Sequence, residues 1–263
     1  MEIAGYFASI LIGISLGLIG GGGSILTVPV FVYLFHVDPI LATVYSLFVV
    51  GTSSLVGTLQ KRKDGLIDFQ TALLFGVPSI ISVFITRKLI LPIIPDSLGA
   101  VAGFEITKGF LMMLLFASLM IAASFSMIRT KKQQEINASN HKNQKVIIQG
   151  LFVGMITGLI GAGGGFLIIP ALILLCNLPM KKAVGTALLI IAVNSLFGFS
   201  VDFYSGVKIN WALLSTVTSL AIGGIFIGNF FSKKIDGNSL KKGFGWFVLT
   251  MGVYILVDLL LHK

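Results

Sequence analysis

Charge is scarce in this chain: 11% of its 263 residues are Asp, Glu, Lys or Arg, against about 25% in an ordinary soluble domain. The little charge present falls in short clusters between apolar stretches, which leaves no room for a soluble catalytic or binding domain. Cysteine is nearly missing too. Cys176 stands alone, so no internal disulfide forms, and its apolar run lacks metal-ligand spacing. His36, His141 and His262 are scattered over loops and a terminus, which argues against a metal site. There is no His-Glu-x-x-His, no pair of buried aspartates and no Gly-Lys-Ser/Thr after a glycine run, so neither an enzymatic activity nor a cofactor is expected. The start, Met1-Glu2-Ile3-Ala4, lacks the basic residues of a cleavable signal peptide and reads as a retained first helix. The net charge of +9 flanks apolar segments, where the positive-inside bias places it, so nucleic acid is not an expected partner.

What the chain has in abundance is apolar sequence, at 56% of all residues. Measured against the roughly 20 residues that cross a hydrocarbon core, the first half gives segments 3–20, 24–36, 40–58, 68–90 and 104–128. The second half gives 146–162, 165–176, 181–200, 209–230 and 240–261. The expected fold is an all-α integral membrane protein with the lipid bilayer as its surroundings. Residues 129–145 are polar, without apolar periodicity, and read as a linker between a first membrane repeat, 1–128, and a second, 146–263. Glu105 and Lys108, three residues apart at the start of the fifth segment, are expected to pair on one helix face.

The two halves are copies. Gly17-Leu-Ile-Gly-Gly-Gly-Gly-Ser-Ile-Leu-Thr-Val-Pro29 returns as Gly158-Leu-Ile-Gly-Ala-Gly-Gly-Gly-Phe-Leu-Ile-Ile-Pro170, and at the same offset Ala42, Leu47, Ser54 and Gly57 match Ala183, Leu188, Ser195 and Gly198. Basic residues cluster after the odd-numbered segments, at Lys61-Arg62-Lys63, across the linker, at Lys181-Lys182 and at Lys233 to Lys242. These loops are expected in the cytoplasm, with both termini outside. Five segments per half then turn the second repeat upside down relative to the first. Segments 24–36 and 165–176 are short: thirteen residues at 1.5 Å each reach about 20 Å of a roughly 30 Å core. Ten spans, or eight with two re-entrant hairpins, satisfy the charge pattern equally.

Each short segment follows a glycine cluster, Gly20, Gly21, Gly22 and Gly23 in one copy and Gly161, Gly163, Gly164 and Gly165 in the other. Such clusters unwind a helix, and irregular backbone at membrane depth is tolerated only inside protein or along a cavity. The helix that follows starts with amides lacking partners and with the positive end of its dipole, a setting for an anion. Candidate binding residues are these glycines with Ser24, Ser53, Ser54, Thr186, Asn194 and Ser195; the hydroxyls and amide can donate to an oxyanion or bond to neighbouring helices. Gly13, Gly17, Gly150, Gly154 and Gly158 suit close helix packing instead. The expected activity is secondary transport of a small anion, with a channel-like anion pore as the alternative.

The paired motifs, with Ala183-Val-Gly-Thr-Ala-Leu188 after the second, resemble the TauE/SafE permeases, the sulfite-exporter family, over nearly the whole chain. The resemblance implies transport of a small sulfur anion such as sulfite, a sulfonate or thiosulfate across a prokaryotic plasma membrane, without a covalent cofactor. The first copy departs from the pattern, with Thr43-Val-Tyr-Ser46 where the second has Val184-Gly-Thr-Ala187.

Overall fold

Long apolar runs punctuated by capping residues form ten helical segments in a computed structural model that describes residues 2–95, 97–101, 104–128, 143–161, 163–176, 178–232 and 237–261. Most of the linker therefore lies outside the described residues. The first half contains α1 (Glu2–Ile19), α2 (21–34), α3 (Pro39–Lys63), α4 (Phe69–Ile93) and α5 (Lys108–Ile128). The second contains α6 (Asn143–Ile160), α7 (Gly165–Leu175), α8 (Met180–Tyr204), α9 (Trp211–Ser232) and α10 (Gly237–Leu261). Among the described residues, α3, α4, α8, α9 and the stretch Lys108–Phe125 are long and apolar enough to cross a membrane, and four shorter apolar helices accompany them. The protein is an all-α, multi-pass membrane protein.

Caps set the helix starts. Asp38 accepts from the backbone N–H groups of Ile40 and Leu41 at 2.9 and 3.2 Å, with Pro39 in the first turn of α3. Asp68 accepts from the Thr71 N–H at 3.0 Å at the head of α4, and Asn210 accepts from the Leu213 N–H at 3.2 Å at the head of α9. Lys61, Arg62 and Lys63 fall inside the last turn of α3 rather than beyond it, where their charge complements the helix dipole.

One stretch departs from the expected helix. Residues 104–107 are strand, not helix: β1 (Ser97–Val101) pairs antiparallel with β2 (Phe104–Thr107), Val101 opposite Phe104. Val101, Ile106 and Thr107 are β-branched and two glycines interrupt the run, which favours a ribbon over a helix start. Glu105 thus does not share a helix face with Lys108, and its side chain is outside the described set. Lys108 donates instead to the Leu91 carbonyl, closing the end of α4 onto α5.

Large apolar side chains such as Phe7, Leu73, Phe152 and Phe226 stand on the outer surface, while hydroxyls and amides are turned inward. Helix packing is reciprocal between the halves. α1 packs on α9 and its match α6 packs on α4; α3 packs on α8, α5 on α10 and α2 on α7. The expected packing glycines do that work. Gly13 and Gly17 lie against the carbonyls of Ala221 and Ile225, Gly224 and Gly228 against those of Ile10 and Ile14, and Gly150 and Gly154 against those of Phe75 and Ser79. With lipid as apolar as the side chains, close backbone approach of this kind is what holds membrane helices together.

The central pair α3 and α8 runs antiparallel. Gly57 faces Leu188 while Gly198 faces Leu47, each glycine taking the side chain that matches the other's partner in the repeat.

Candidate functional site

Both glycine clusters break their helices, by different means. α1 ends at Ile19, Gly20 takes φ 76° and ψ −125°, a region open to glycine, and the chain continues as a tight 3₁₀ turn, Gly21–Leu26. A wider π turn at Val30–Leu34 completes α2. In the second copy α6 ends at Ile160, and Gly161, Gly163 and Gly164 take φ of 72°, 66° and 66° before α7 opens at Gly165.

The two breaks meet. Gly21 and Gly165 press backbone on backbone, leaving no room for a Cβ on either. The short helices α2 and α7 both start from this contact, so their first amides and positive dipole ends converge. Ser24 lies within the first break and donates to the Gly21 carbonyl at 2.7 Å.

Ser53 and Ser54 on α3 and Asn194 and Ser195 on α8 sit near mid-length of the antiparallel pair, all 0% exposed. A serine or threonine buried in a membrane helix usually donates to a carbonyl one turn back. Thr52, Thr58 and Thr157 do so, at 2.7 Å each. Ser53, Ser54 and Ser195 do not: their hydroxyls, and the Asn194 Oδ1, have no partner among the described residues. The Asn194 Nδ2 donates to Ser79 at 2.6 Å. A Cβ on Gly163 would stand 2.9 Å from the Ser195 Oγ, so that hydroxyl abuts the second break. An unmade hydrogen bond in such a site costs about 1–3 kcal/mol, a cost that a bound ligand removes.

Thr186 is placed differently. It lies about 12 Å down α8 from Asn194 by helix rise, and its hydroxyl accepts from the Asp68 N–H at 2.9 Å. Its repeat match, Tyr45, accepts from the Asn210 N–H at 2.7 Å. The two side chains clamp the capping residues of α4 and α9, which explains how the first copy dispenses with the Val-Gly-Thr run: the longer Tyr45 makes the same bond.

Sequence reasoning missed a charged pair. Arg87 and Asp202 fall near segment ends by span length, yet Arg87 is 3% exposed and forms a buried ion pair with Asp202. A π turn, Thr86–Ile90, carries Arg87 at the end of α4, a helix irregularity often found at functional sites. The Arg87 Nη2 donates to the Thr43 hydroxyl at 3.2 Å, and its Nε has no partner among the described residues. A Cβ on Gly161 would stand 2.7 Å from that Nη2. The signal available in sequence was an arginine inside one apolar run and an aspartate just beyond another, each lacking an acid or base one helical turn away.

A family model described as sulfite exporter TauE/SafE matches residues 6–255. The chain belongs to the sulfite exporter TauE/SafE family. Among TauE/SafE relatives, it is 28% identical over 256 residues to a probable membrane transporter protein of Xylella fastidiosa strain Temecula1, covering 94% of this chain and 91% of that one. It is also 28% identical to the probable membrane transporter protein YunE of Bacillus subtilis, over 92% of both chains, and 24% identical to one of Haemophilus influenzae, over 92% and 93%. No solved structure matches this TauE/SafE chain. The protein is a membrane transporter rather than an enzyme.

Proposed function

We propose that the chain is a secondary transporter of a small anion, a sulfur oxyanion or organosulfonate, in a prokaryotic plasma membrane, and that the anion sits between the two glycine breaks and the hydroxyls of Ser53, Ser54 and Ser195. The observation that carries this reading is that set of buried hydroxyls without a partner among the described residues, one of which, Ser195, abuts a turn of positive-φ glycines. An oxyanion takes hydrogen bonds from several directions at once, and hydroxyls with the first amides of α2 and α7 supply donors that need no rearrangement on binding. The family's sulfite-exporter description supports a sulfur anion as cargo, and the bacterial relatives support a prokaryotic membrane.

The antiparallel run of the matched helices α3 and α8, with the reciprocal contacts around them, favours two inverted halves that rock about one fixed site. Basic clusters after the odd segments favour external termini and a cytoplasmic 129–145 linker. External labelling of Asn140→Cys in intact cells by an impermeant thiol reagent would overturn that orientation.

Purified protein in proteoliposomes, loaded with sulfite, thiosulfate or sulfoacetate, tests the site. Saturable flux is expected, falling about tenfold or more in Ser195→Ala with Ser53→Ala, the loss that several missing hydrogen bonds to a charged ligand would produce. Stability should be unchanged or improved, because the removed hydroxyls have no partner among the described residues. Normal flux in the double variant would remove the site assignment, and currents at ion-channel rates would replace the transporter with a pore.

A further inference from the structure

We propose that Arg87 is the cationic group that recognises the transported anion, and that Asp202 is its internal counter-ion, holding the guanidinium while the site is empty. The inference rests on the anion-transport reading and adds to it a single charged contact. Arg87 and Ser195 bracket the same glycine turn: the guanidinium lies against Gly161 and the unpartnered hydroxyl against Gly163, two residues further on. Arginine presents five donors. Here one Nη is committed to Asp202 and the other to Thr43, while the Nε–H has no acceptor among the described residues.

A charged pair buried within a membrane helix bundle is costly and is retained, as a rule, on an ion pathway. As a purely structural strut it would be poorly justified, because well-packed apolar residues stabilise a buried site as well or better. As an exchangeable pair it has a use. An oxyanion entering beside Gly161 can accept from the Nε–H and from the Nη2 that lies against the turn, drawing the guanidinium from its single contact with Asp202, so that the positive charge is turned toward the site when substrate is there to neutralise it. Release follows when Asp202 recovers its partner. The contact at Gly161 is what brings this about: any side chain at that position would push the guanidinium off the turn.

The test measures sulfite affinity by titration calorimetry on detergent-purified protein, with melting temperature as the control for folding. Removing both charges, in Arg87→Gln/Asp202→Asn, leaves no orphaned ion and should fold; its sulfite affinity should drop about tenfold or more, within the roughly 5- to 150-fold range of coupled sites. Arg87→Lys/Asp202→Asn should restore most of the loss, which a merely structural pair would not require. Asp202→Asn alone, where it folds, should bind sulfite more tightly than the wild type and turn over more slowly, because the competitor for Arg87 is gone. Wild-type affinity in the neutral double variant, or no recovery with lysine, would overturn the assignment. If that variant binds normally while Ser195→Ala is impaired, this inference alone falls. If the wild type binds none of sulfite, thiosulfate and sulfoacetate, the anion-transport reading falls with it.

Discussion

The two glycine breaks begin from nearly the same sequence and end in different surroundings. Gly20 faces Val184 and Ile169, an apolar setting, and a single residue of positive φ turns the chain before the 3₁₀ segment. Its match, Gly161, faces Thr43 and Arg87 and opens a turn with three residues of positive φ. Thr43 and Val184 are themselves repeat matches, so each break is covered by the equivalent residue of the other half, apolar in one case and hydrogen-bonded to a guanidinium in the other. The positions that match the charged pair are filled by different residues. Lys61, at the position matching Asp202, donates to Ser232 at 3.3 Å, and Asn229, close to the match of Arg87, bonds to Gln60. The backbone device is present in both copies, while the side chains around it have diverged.

The largest effect is expected where the two breaks are equal. At the Gly21–Gly165 contact backbone meets backbone, so no neighbouring side chain can move aside. Gly21→Val and Gly165→Val should each cost about 3 kcal/mol or more by overpacking, seen as loss of a monodisperse peak on extraction from membranes and loss of flux. Tolerance of valine at one position and not the other would break the equivalence. A smaller and unequal effect should follow from neutralising charge in the two halves. Lys61→Gln should leave sulfite affinity within about twofold, whatever it costs in stability, whereas the neutralised Arg87–Asp202 pair should lose most of its sulfite binding. Equal losses in the two calorimetric titrations would show that recognition is shared between the copies.

Much of this arrangement is legible from the chain because membrane segments are written in long, uniform stretches. The ten segment positions follow from where apolar runs stop, and the glycine clusters announce the breaks because so many adjacent glycines have no place in a continuous helix. Ser53, Ser54, Asn194 and Ser195 could be nominated from their repeat positions. Sequence could not distinguish them from Thr52 or Thr58, since whether a hydroxyl finds a carbonyl one turn back depends on its rotamer. The ribbon at 97–107 was hidden by an apolar stretch that suits strand or helix alike. Arg87 was hidden for a different reason: span length alone puts it near an interface, and only the packing of α4 against α6 and α8 encloses it.

Thr186 supplies the smallest and most discriminating difference, because it was nominated on the same grounds as Ser195. Its hydroxyl already accepts the Asp68 N–H, as Tyr45 accepts that of Asn210, so each secures the start of the fourth helix of the other half. Thr186→Val and Tyr45→Phe should each lower stability by about 1 kcal/mol, the worth of one hydrogen bond, and should leave sulfite affinity unaltered. Ser195→Ala should do the reverse, weakening sulfite and sparing stability, because the lost hydroxyl has no partner among the described residues. Melting temperature and affinity measured on the same three preparations therefore separate clamp from ligand contact. A Thr186→Val variant that kept its melting temperature and lost sulfite would move the site along α8 toward the Asp68 loop.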